Sequence, residues 1–89
     1  MGIRIRRVDD SFGIWDSYNC KFIEAEHLGI KAERVREYLK EHPFPKDSKD
    51  NWYTEECMIG DVTNSQGSLI IPGSEEQAEW VADMLQALL

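Results

Sequence analysis

Residues 3–15 read IRIRRVDDSFGIW. Ile3 and Ile5 alternate with Arg4 and Arg6, the period of a half-buried strand. Asp9, Asp10 and Ser11 follow as turn chemistry, because Asp and Ser side chains hydrogen-bond their own backbone. Phe12 to Trp15 is short, apolar and aromatic, so it returns as the second strand of a hairpin. That hairpin sets an antiparallel sheet as the frame to which the rest of the chain is added.

Downstream, DSYN offers a second turn or a bulge, and CKFIEA (Cys20–Ala25) reads as a third strand. The period then changes. Leu28, Ala32, Val35 and Leu39 recur at helical spacing, with charged residues on the other sides, so a helix is expected from about Ile30 to Glu41. Pro43 ends it, since the residue before a proline is pushed out of the helical region. HPFPKDSKDNWY (residues 42–53) is the long loop, and loops of this length are often functional. CMIGDVT (residues 57–63) reads as a strand, NSQG as a four-residue hairpin turn and SLIIP as the partner strand, with Pro72 at a strand end or edge.

Ser74 opens the last helix, and Gln77 stands three residues on, where a capping box needs it. Ala78, Val81, Ala82, Leu85, Leu88 and Leu89 form its apolar stripe, flanked by Trp80, Met84 and Ala87. Glu76, Glu79, Asp83 and Gln86 are left as a narrow polar side. A helix apolar over so much of its circumference is either clamped between elements or shared with another chain. The expected fold is therefore α+β: an antiparallel sheet of four to five strands with two helices on one face, in the order ββ(β)α–ββα. Residues 1–89 make a single domain.

Charge is distributed unevenly. The net charge is −7, and all ten Lys and Arg lie at or before Lys49, whereas the chain from Asp50 onward carries only acids. The negative field of that half favours basic partners and disfavours direct nucleic-acid or membrane binding. No run of apolar residues is long enough to span a bilayer, and the basic start has no apolar segment behind it, so the protein is expected in the cytoplasm. Two cysteines, Cys20 and Cys57, are too few for a disulfide-framed secreted domain and are read as reduced thiols, the alternative being one disulfide that ties the two halves together.

Chemistry-bearing constellations are sparse. Cys20, His27, His42 and Cys57 are zinc-type residues, but each stands alone in sequence, without the close pairs of a finger or ribbon. No cysteine is expected at a helix start, where a thiolate would be activated. Asp9-Asp10, Glu55-Glu56 and Glu75-Glu76 read as solvated turn or helix-start acids. Gly60, Gly67 and Gly73 are too dispersed for a phosphate loop. Arg4, Arg6 and Arg7 read as charges guarding an edge strand against aggregation.

No enzyme, metal or cofactor is therefore expected. The expected function is protein–protein binding: a regulator or inhibitor that docks on a basic partner surface, with nucleic-acid mimicry, as in a phage-type inhibitor or immunity protein, as its concrete form. The docking residues expected are Glu76, Glu79, Asp83, Glu55, Glu56 and Asp61, with Trp52 and Tyr53 of the loop as the rival. The alternative is a structural subunit of a homo-oligomer or larger assembly, a homodimer joined through Trp80 and Met84.

Overall fold

The structure, a computed structural model, describes residues 2–46 and 52–89. The hairpin forms as read: β1 (Ile3–Val8) pairs antiparallel with β2 (Ser11–Asp16), with Val8 opposite Ser11 and Ile3 opposite Asp16. Asp9 takes a positive φ of 54° in the turn, a conformation that short polar side chains tolerate. The next turn is held by Asp16, whose carboxylate accepts the Asn19 side-chain amide at 2.7 Å and the Tyr18 N–H at 3.0 Å.

The far side of β2 is shared. β3 (Lys21–Phe22) pairs with its Trp15–Asp16 end, and β4 (Ile70–Ile71) with Phe12 and Gly13. Between them three segments meet: the Ile14 N–H donates to the Leu69 carbonyl at 3.0 Å. The Ile14 carbonyl accepts the Ile23 N–H at 2.8 Å, and the Ile23 carbonyl accepts the Leu69 N–H at 2.8 Å. The expected third strand is thus cut short. It leaves β2 to bridge Ser68 through Glu24 and turns into a short 3-10 segment, Ala25–His27.

The α+β class holds, with four strands and three helices among the described residues: α1 (Ala32–Glu41), α2 (Glu55–Asn64) and α3 (Glu75–Leu88). The expected strand CMIGDVT is instead α2, and NSQG is not a hairpin turn. Three facts favour the helix. The Thr54 hydroxyl accepts the Cys57 N–H at 3.3 Å, a cap for an otherwise unsatisfied donor. Glu55 and Glu56 sit in the first turn, at the positive end of the helix dipole. Met58, Ile59 and Val62 all become buried, which is helical rather than alternating spacing. β4 then pairs with β2, not with residues 57–63.

Paired residues point to one face of a sheet, so Ile3, Ile5, Phe12 and Ile14 share the covered face. α3 packs on β1 and β2, α1 rests on α2 and α3, and α2 covers β4 and the 3-10 segment. Ile14, Val35, Met58, Val62, Leu69, Ile71, Val81, Met84 and Leu85 are the fully buried centre. The opposite face is open. There Phe22 lies on Gly13, where any Cβ would clash, and meets Trp15 edge-on at 5.0 Å. The Arg6 guanidinium sits 4.2 Å over the Trp15 ring.

Candidate functional site

The capping box of α3 is present: Ser74 accepts the Gln77 N–H at 3.2 Å and the Gln77 carbonyl oxygen Oε1 accepts the Ser74 N–H at 3.0 Å. Gln77 does more than cap. It is buried, and its Nε2 donates to the carbonyls of Pro45 at 2.9 Å and Tyr53 at 3.0 Å, tying both to α3; the middle of the expected long loop, residues 47–51, lies outside the described residues. A glutamine on the apolar side of the helical wheel was the available sign of this.

Within the chain, α3 packs against β1, β2 and α1. Met84 is 0% exposed, enclosed by its own core, and has no surface to share with a second copy. Trp80 is half-buried. Its Nε1 donates to the His42 carbonyl at 3.1 Å, and its ring meets Tyr38 and Phe44 edge-on. The polar stripe Glu76, Glu79, Asp83 and Gln86 is exposed, as its spacing implied. Gln86 reaches the sheet, where its Oε1 accepts the Ile3 N–H at 3.0 Å. Beside it, Glu79, Asp83 and Ala82 with Ile3, Arg4 and Ile5 line a depression of about 310 Å³. Burial and the charge of Asp83 push the Tyr38 phenol above its ordinary value.

The other expected docking acids are arranged differently. Asp61 accepts the Tyr53 hydroxyl at 2.7 Å, and burial followed by this bond holds that phenol far above its ordinary value. Glu56 pairs with Arg36 at 2.9 Å, and the guanidinium bond holds its carboxyl below the usual range. Glu55 and Glu56 line a separate depression of about 580 Å³ with Leu39, Phe44, Lys46 and Tyr53. Four of the six acids are therefore split between two depressions, Glu79 and Asp83 at one and Glu55 and Glu56 at the other. Of the loop aromatics, Tyr53 is buried and Trp52 is 56% exposed.

Cys57 stands in the first turn of α2, correcting the expectation that no cysteine opens a helix. The Thr54 hydroxyl donates to its Sγ at 3.4 Å and lowers the thiol pKa. Cys20 and Cys57 are both exposed and unpaired. His27 lies beside Glu24, with Nδ1 to Oε2 at 3.1 Å, and Glu24, Glu26 and His27 bring ligand atoms within 4.8 Å of one another. Among the described residues Cys20, His42 and Cys57 join no such group. Among them, too, no helix is long and apolar enough to cross a membrane. No protein-family model, curated protein or solved structure matches the chain.

Proposed function

We propose that the protein is a non-enzymatic binding module, a regulator or inhibitor that meets a basic partner surface through Glu76, Glu79 and Asp83. One observation carries this reading. The three carboxylates stand exposed on a helix whose remaining sides are committed to the core, and no cation lies within 4.0 Å of them among the described residues. Glu55, Glu56 and Asp61 drop out of the docking set, because Asp61 and Glu56 already have partners and Glu55 lines the other depression. With three carboxylates rather than six, a basic protein surface suits the row better than nucleic-acid mimicry. Exposed unpaired thiols suit a reducing compartment.

Exposed ion pairs contribute about 0.2–1 kcal/mol each, so three of them select a partner and speed its approach more than they hold it. Binding should weaken steeply with salt, as the Debye length falls from about 10 Å at 0.1 M to about 3 Å at 1 M. The test is capture of binding proteins from native lysate at both salt concentrations, with the wild type and with Glu76→Gln/Glu79→Gln/Asp83→Asn. The expected result is a partner identified by mass spectrometry that is released by salt and missed by the triple variant. A partner held equally by both forms at both concentrations makes the stripe mere solvated surface.

A further inference from the structure

Among the described residues β1 pairs on one side only. The Gly2 carbonyl accepts the Ser17 N–H, and Val8 faces Ser11 across the turn. In an antiparallel ladder every second residue exchanges hydrogen bonds with its neighbour strand, so Gly2, Arg4, Arg6 and Val8 are bonded to β2. Ile3, Ile5 and Arg7 turn their backbone groups the other way. The Ile3 N–H is taken by Gln86, while the N–H groups of Ile5 and Arg7 have no protein partner among the described residues. The acceptor Gln86 belongs to the same stripe of α3 as Glu79 and Asp83, and those two acids line the depression that borders Ile3 and Ile5. The open edge thus runs between two charged sides: Glu79 and Asp83 beside Ile3 and Ile5 on the covered side, with Arg7 over Phe12 at its hairpin end, and Arg4 and Arg6 on the open face.

We infer that this edge accepts an extended segment of another protein as an added strand, one whose side chains alternate Lys or Arg with Asp or Glu. The inference rests on the acidic-stripe reading above and specifies the ligand. Successive residues of an added strand face opposite sides, so the set opposite Ile3 and Ile5 meets Glu79 and Asp83, its member opposite Arg7 meets that cation, and the other set meets Arg4 and Arg6. Opposite charges across a strand pair stabilise it, and like charges oppose it. That rule also excludes a second copy. Antiparallel self-pairing centred on Ile5 sets Arg4 opposite the other copy's Arg6, and one step either way sets an arginine opposite itself. The arginines that guard the edge against its own kind are those that would recognise an acidic row.

The test uses the full chain and two eight-residue peptides of identical composition. One alternates Lys and Glu; the other places the same residues in two blocks. The alternating peptide should bind about tenfold tighter, since it forms several favourable cross-strand pairs. It should also slow hydrogen exchange of the Ile5 and Arg7 amides. Ile5→Pro removes one donor from the free edge and should abolish the difference. Methylating every second backbone nitrogen of the peptide does the same while leaving the protein untouched. Equal affinity for the two peptides, unchanged exchange at Ile5 and Arg7, or no binding of either at millimolar concentration overturns the inference. If both peptides bind equally and Glu79→Gln/Asp83→Asn weakens both, the stripe stands as a docking surface and the added strand falls.

Discussion

Helices α2 and α3 begin with almost the same words, Thr54-Glu55-Glu56-Cys57 and Ser74-Glu75-Glu76-Gln77. Each has a hydroxyl cap, two acids in the first turn and no base in the last. They differ at the third helical position. Gln77 has both a donor and an acceptor, so it closes the box and grips two loop carbonyls. Cys57 has an exposed thiol, which takes a bond from Thr54 and donates a long one to the Trp52 carbonyl at 3.9 Å. The same opening therefore seats one helix in the core and leaves the other with an exposed sulfur. A capping hydroxyl followed by acids specifies where a helix starts, and the next inward side chain decides what the start is fastened to.

Removing that difference should have the largest effect. Gln77→Ala leaves one buried and one part-buried carbonyl without their donor and should destabilise by about 2–4 kcal/mol in denaturant titration. Cys57→Ala at the matching position should leave the midpoint unchanged within measurement scatter.

The second test concerns one tie that α2 does have, Tyr53 to Asp61. The Tyr53 phenol is raised in the folded state, so above about pH 10 the unfolded chain loses its proton first and stability falls as pH rises. The decline should not exceed about 1.4 kcal/mol per pH unit, and Tyr53→Phe should flatten it. An unchanged slope in that variant means another group is titrating.

Thr54→Ala and Ser74→Ala should each cost about 1 kcal/mol if the two caps are equivalent. A negligible effect of Thr54→Ala would break the equivalence and make α2 dependent on packing alone.

The smallest effect separates the helical reading of residues 57–63 from the strand reading. Gly60 lies within α2, and a Cβ there would meet nothing within 4 Å. Gly60→Ala should stabilise by about 0.5–1 kcal/mol, the entropy glycine loses in a helix. Destabilisation would argue that the segment is not a helix.

The hairpin was legible because Ile3, Ile5 and the Asp9-Asp10 turn state one period without ambiguity. The last helix was legible from Ser74, Gln77 and a long apolar stripe. Residues 57–63 misled because Met58, Ile59 and Val62 are the apolar and β-branched types that also suit strands, while Gly60 interrupts any helix pattern. The informative residues lay just upstream, in Thr54-Glu55-Glu56, and repeat the grammar of Ser74-Glu75-Glu76. The acidic stripe of α3 was visible from its spacing. Its separation from Asp61 and Glu56 was not, because that depends on Tyr53 and Arg36 arriving from other parts of the chain. The charged edge of β1 was readable from its arginines, but its place beside Glu79 and Asp83 needed the packing of α3 on the sheet.

The grip of Gln77 on Pro45 and Tyr53 also makes the protein a natural carrier. Both ends of the intervening stretch are fastened to one side chain, so their separation does not depend on what joins them. Lengthening a closed loop is cheap, about 0.6 kcal/mol for each doubling. A foreign epitope or a fluorescent tag spliced between Pro45 and Tyr53 should be displayed with its ends pinned, leaving the sheet edge and the acidic stripe free to be assayed alongside it.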